Sequence, residues 1–338
     1  MSDDLGEIFF SSISKACEEM KQKGLSDDEI ERIVNDKIDE ALETLVDTSA
    51  RDTLSYMKEH MFEITAEVEA FDAEFLAHQN QKWGKCFAAS RVMYVMAAEA
   101  SELFTQYVRE SVDKKELEHN QYTFLALQQL QGRACQEFLE ILTLMKAGFA
   151  DGAYARWRSM FELCCIASFI REHGEQIAKQ FYEQSETEEQ RYLWTDGVAD
   201  QNGKKIRTFS QIQSMCDIPI SWKKQYKLAC MVNHASPQGT FKRLSNGCVI
   251  NMTPVGRSDY GLITPAEHSA ISLQWITATF ITLFPHTDSI SRAKTIGAWV
   301  DVVRDMYFSA HDEIFRELNE EQKTEEQTSF VANKKNIQ

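Results

Sequence analysis

Apolar residues recur every three or four positions along most of the chain, which is the period of helices, and strand-like character is confined to residues 246–264. Ser26-Asp27-Asp28-Glu29 reads as a capping box with extra acids at the positive end of the helix dipole, so a helix is expected from there to about Val46, with a short one before it. The pattern stays helical from Ser49 to about Leu76 and resumes from Ala88 to Val112. One long helix is expected from Glu116 to Phe149, with Cys135, Phe138, Leu142, Met145 and Phe149 on a common face. Gly148 and Gly152 end it. The next helix, Gly152 to Glu172, closes at Gly174 as a C′ residue, and the two helices make an antiparallel hairpin.

Residues 195–206 read as a loop, after which Ser221 caps a helix through Trp222, Tyr226 and Cys230 that Pro237 stops. Thr264-Pro265-Ala266-Glu267 is a second capping box, launching an apolar helix to about Phe284. A last helix covers Ser289 to Leu318, and the acid-rich tail from Asn319 is expected to be disordered. The expected fold class is all-α: a multi-helix bundle with long antiparallel helices, an N-terminal helical arm and at most one small β-hairpin near 247–263. Three parts are expected: an acidic helical region over 1–112, a core helical domain over 113–318 and the tail over 319–338.

Composition supports this picture. The 338 residues include only 14 Gly and 5 Pro, too few for the many turns of a strand-rich fold. The first residues carry acids where a secretory signal carries bases, and no apolar run reaches the roughly 18 to 20 residues that span a bilayer, so a cytoplasmic location without membrane contact is expected. Eight cysteines are scattered without a Cys-x-x-Cys pair and read as reduced residues, several in the core. Neither a cofactor nor a metal is expected; Glu116-x-x-His119 has the spacing of half a diiron site, but no second copy exists.

Charge is unevenly spread. Residues 1–80 hold 21 acids against 7 bases, whereas residues 201–260 hold 9 bases against 2 acids, in a chain of net charge −16. Lys204, Lys205, Arg207, Lys223, Lys224, Lys227, Lys242 and Arg243 are therefore candidate polyanion ligands. The alternative is that acidic and basic surfaces face each other within the molecule.

Individual charges stand out against apolar faces. With Tyr154 at the origin of a helical wheel, Trp157, Phe161, Cys164, Cys165 and Phe169 share one arc, and Arg158 lies about 40° from the origin, inside it. An unpaired guanidinium is costly there, so Glu162 one turn later is the expected partner, while Arg156 points the other way toward solvent. His234 sits at a helix C-terminus within the basic segment, where the dipole favours the imidazolium. No nucleophile elbow or Gly-rich phosphate loop is present.

Two stretches, GAYARWRSMFE (152–162) and YKLACMVNHAS (226–236), resemble the helical Arg-Ser-x-x-Glu segment and the later Tyr-to-His segment of a bacterial family catalogued as domain of unknown function 5677. The resemblance spans about 131–315 and implies an all-helical fold in which Arg158, Glu162 and His234 converge. More distantly, Arg304-Asp305-x5-His311 is similar to the Arg-to-His signature of HEPN domains, helical modules of toxins and phage-defence systems that cut RNA without metal. That likeness implies His234 or His311 as a base on a ribose 2′-hydroxyl and Arg158 or Arg304 as the group facing the phosphorane. Two readings stand side by side. One is an RNA- or nucleotide-binding effector acting as a metal-independent endoribonuclease. The other is a non-catalytic oligomeric scaffold, assembled through its N-terminal helices, with Arg158 and Glu162 as a structural ion pair.

Overall fold

The computed structural model describes residues 5–187, 192–234, 236–246 and 256–335. They contain twelve α-helices and no sheet, so the fold is an all-α helical bundle. The one β-bridge among the described residues joins Ala199 to Lys205. Of the hairpin expected near 247–263, residues 247–255 lie outside the described residues, and 256–262 form bends leading into a helix. No helix among the described residues is long and apolar enough to cross a membrane.

The chain divides into two compact units, Met1–Glu74 and Phe75–Gln338, and the division lies inside a helix. In the first unit, α1 (Leu5–Gln22) and α2 (Asp27–Glu59) form a hairpin turned at Gly24, and α3 (Met61–Ser111) begins. The capping box forms as read, with the Ser26 N–H donating to the Glu29 carboxylate at 2.9 Å. The helix it starts runs past Val46 to Glu59, because no Gly or Pro interrupts residues 47–59. At His60 the helix is interrupted, with φ −102° and ψ 12°, although its N–H still donates to the Tyr56 carbonyl and its carbonyl accepts from Ile64.

The second unit is built on α5 (Gln121–Lys146) and α6 (Ala150–His173), the hairpin expected from the sequence, against which α11 (Ile263–Ile281) packs. The remaining part of α3 and α12 (Thr287–Lys335) add the layer holding Trp83, Met93, Phe104, Val303 and Tyr307, all buried. The helix α12 runs to Lys335, into the segment from Asn319 whose composition leads one to expect a disordered tail and of which residues 336–338 lie outside the described residues. Around α6 lie α7 (Glu175–Gln184), α8 (Phe209–Met215) and α9 (Ile220–Asn233), followed by α10 (Pro237–Phe241). Tyr154, Trp157, Phe161, Cys164, Cys165 and Phe169, the arc read on α6, are all buried.

The helix α3 also runs unbroken through residues 77–87, and further helix boundaries differ from expectation. The long helix read over 116–149 is split at Asn120 into α4 (Lys114–His119) and α5, because a distant carboxylate takes over the start of α5. Glu175 accepts from the N–H groups of Tyr122 and Thr123 at 2.8 and 2.9 Å and from the Thr123 hydroxyl. The second expected capping box does not form, since α11 already begins at Ile263 and Thr264 lies inside its first turn. The turn between α5 and α6 requires glycine at 148, where φ is +80° and a Cβ would stand 2.6 Å from the Phe75 ring and 2.9 Å from the Ser258 nitrogen.

Candidate functional site

Arg158 and Glu162 lie one turn apart on α6, and the guanidinium Nη2 donates to Glu162 Oε1 at 2.9 Å. The Tyr226 hydroxyl of α9 donates to the same oxygen at 2.7 Å, and the Arg158 guanidinium lies 5.8 Å from the Tyr226 ring centre. Phe161, Phe209 and Trp222 pack around these groups with ring centres 5.2–6.4 Å apart. The pair sits at the rim of this aromatic floor, with side-chain exposures of 28% for Arg158 and 14% for Glu162. Burial works against the Arg158 charge, yet Tyr226 and Glu162 together hold the guanidinium above its ordinary range. Burial first, and then the bond to Glu162, push the Tyr226 phenol up. Nothing among the described residues accepts from the buried Arg158 Nε.

Arg156 is not solvated as its wheel position suggests. It bridges to Glu140 and reaches Glu137 Oε1 at 3.3 Å, because α5 stands across from it. Glu137 is fully enclosed and also accepts from Arg133 Nε and the Ser159 hydroxyl, each at 3.0 Å. Its Oε2 is buried with no hydrogen-bond partner among the described residues. Burial raises the Glu137 pKa, outweighing the opposing pull of Arg156, Ser159 and Arg133. Sequence reasoning passed over this cluster. The available signal was Arg133 one turn before a glutamate bounded by Ala134 and Ile141 on an apolar face.

A second overlooked residue is His268 on α11, enclosed by the rings of Trp157, Tyr154 and Trp222 at 4.8, 6.0 and 5.7 Å. Its Nδ1 lies 2.8 Å from the Thr264 carbonyl, and burial lowers its pKa despite Glu267 nearby.

The other sequence candidates have the following surroundings. His234 is exposed and ends α9, its N–H donating to the Cys230 carbonyl. Among the described residues no hydrogen bond, ion pair or ring contact joins it to Arg158 or Glu162. On α12, Arg304 is drawn to Glu267 Oε1 at 2.7 Å and to Asp301 at 3.3 Å, while His311 Nδ1 lies 3.6 Å from Asp312.

The basic segment splits into engaged and unengaged groups. Lys205 pairs with Asp196 at 2.7 Å, and Arg243 lies 3.5 Å from Asp151, a buried carboxylate that also accepts from the Leu244 and Ser245 N–H groups. Arg257 donates to the Ala147 carbonyl at 2.9 Å. Lys204, Arg207, Lys224, Lys227 and Lys242 are exposed, Lys223 is half-buried, and none of the six makes an ion pair among the described residues.

Fold and site together describe an all-helical protein with an ion pair and a tyrosine tying α6 to α9. Residues 124–217, from α5 through α8, match a family of unknown function (DUF5677). The matched stretch contains Glu137, Arg156, Arg158 and Glu162 and leaves out Tyr226, His234, Arg304 and His311. No curated protein and no solved structure matches the chain.

Proposed function

We propose that this chain binds a polyanion, RNA or a nucleotide, across the basic face of α9, and that Arg158, Glu162 and Tyr226 hold that helix in place rather than react. The observation that carries this reading is the two-sidedness of α9. Lys224 and Lys227 are exposed and His234 follows Lys227 by seven residues, two helical turns along one face, while Tyr226 is tied inward to Glu162. A net positive segment in an acidic chain fits such a surface, since phosphate contacts supply most of the affinity of non-specific RNA and DNA binding. His234, exposed at the end of that face, is the residue positioned to act as base if the bound RNA is cut without metal.

The test is binding of a labelled single-stranded RNA oligonucleotide over a salt series. Wild-type protein is expected to bind with an affinity that falls steeply with salt, and Lys224→Glu with Lys227→Glu to weaken it at least about tenfold at low salt. His234→Ala should leave binding intact and stop any cleavage. Absence of RNA or nucleotide binding by the folded wild type would sink the proposal. The remaining reading would then be a scaffold in which Arg158 and Glu162 are structural, supported by the two donors that share one Glu162 oxygen.

A further inference from the structure

Within the N-terminal unit, α1 packs along only the first part of α2. The groove between them, about 600 Å³, is lined by Phe9, Ile13 and Ala16 on one side and Ala41, Leu45 and Thr48 on the other. Length explains the limit: at 1.5 Å per residue α1 spans about 27 Å and α2 about 50 Å. Beyond Thr48, six apolar residues fall in one line, Leu54, Met57, Met61, Ile64, Val68 and Phe71, with Tyr56 and Phe62 lying off it. Their spacing alternates strictly between three and four, the repeat of a coiled-coil seam, with Leu54 and Met57 at the end of α2 and Met61 to Phe71 at the start of α3, on either side of the interruption at His60. All six are exposed, from 37% at Ile64 to 74% at Phe71. An amphipathic helix that displays a seam of this kind is built to bury it against another helix.

Charge selects the occupant and its direction. The positions flanking the first half of the seam are basic or neutral, Arg51, Thr53, Lys58 and His60, whereas Thr65, Glu67, Asp72 and Glu74 flank the second half. Laid head to tail, two identical helices bring each acidic half against the other's basic half, with His60 opposite Glu67. Laid in parallel, they would set Glu67 against Asp72 of the other helix, a like-charge contact made twice. We propose that residues 54–71 pair with the same segment of a second copy of this chain as an antiparallel two-helix seam. Met61 then packs against Ile64 of the second copy about the twofold axis, followed outward by Met57 against Val68 and Leu54 against Phe71. This interface is independent of the polyanion reading and gives a dimer two α9 faces.

The experiment is light scattering and sedimentation of the full chain at several concentrations, for wild type, Ile64→Glu, Val68→Lys and Glu67→Lys. Wild type is expected to have twice the chain mass. Ile64→Glu and Val68→Lys should each raise the dimer Kd at least about 100-fold while the thermal transition of the core stays in place, because both positions face solvent in a single chain. Glu67→Lys should weaken an antiparallel dimer, whereas it would tighten a parallel one. A monomeric wild type, a dimer indifferent to both seam variants, or a tighter Glu67→Lys dimer overturns the proposal. So does a monomer that sediments with lipid vesicles and loses that property in Ile64→Glu, which would assign the face to a membrane surface.

Discussion

Glu162 and Glu137 are both held by arginines of α6, and they differ in how each charge reaches water. Glu162 shares its charge with Arg158 at a rim where the guanidinium stays partly exposed, and Tyr226 adds a second donor. Glu137 is enclosed completely, and only the outer parts of Arg133 and Arg156, 59% and 34% exposed, connect it to solvent. The sequence likeness points to the first pair, yet the second lies deeper. The depth of a charge on a helix is set by what stands opposite it, and the opposite helix is not written in that helix's own periodicity.

The sharpest way to break this comparison is Arg156→Ala. It removes the partner shared by Glu137 and Glu140 and leaves an enclosed carboxylate with Arg133 and the Ser159 hydroxyl, so a loss of about 3 kcal/mol is expected in urea unfolding. Glu162→Ala should cost less, about 2 kcal/mol, because Arg158 can turn to water while Tyr226 loses an acceptor. If the order of the two losses is reversed, the rim pair is the deeper one and the comparison fails.

Proton linkage sharpens it further. The Glu137 pKa is raised in the folded chain, so its stabilising contribution is complete below the ordinary carboxyl value of 4.5 and is lost as pH rises through the folded value. Glu137→Gln should flatten that part of the stability profile. His268 works in the opposite sense: its folded pKa is lowered, so its contribution is present above the ordinary 6.5 and is lost as pH falls through the folded value. Unfolding curves of His268→Leu across the acid range should lack that decline. The smallest effect belongs to Arg304→Ala, under about 1 kcal/mol, since Arg304 is 41% exposed in its pair with Glu267. A loss approaching that of Arg156→Ala would mean that the α11–α12 contact depends on the pair.

The helices themselves were legible because local spacing dictates them. The Ser26 capping box, the α5–α6 hairpin and the apolar arc from Tyr154 to Phe169 arise from neighbours within a few residues. The Arg158–Glu162 contact was legible for the same reason, being one turn long. The features that escaped depend on partners far along the chain. Asn120 interrupts a helical pattern because Glu175, more than fifty residues later, caps the start of α5. Arg156 looked solvated until α5 supplied Glu137 and Glu140. Tyr226 as partner of Glu162 bridges 64 residues, a separation that no helical wheel spans.

The Glu175 cap has a consequence for how this chain comes to be folded. During synthesis, the amides of Tyr122 and Thr123 emerge long before the carboxylate that will receive them. Until α7 docks, those two amides can be satisfied only by water, so full protection of the start of α5 waits on α7. Amide hydrogen exchange at Tyr122 and Thr123 therefore works as a clock for that docking: slow exchange marks the moment the three helices close, and Glu175→Gln should speed exchange at those two amides ahead of the rest of α5.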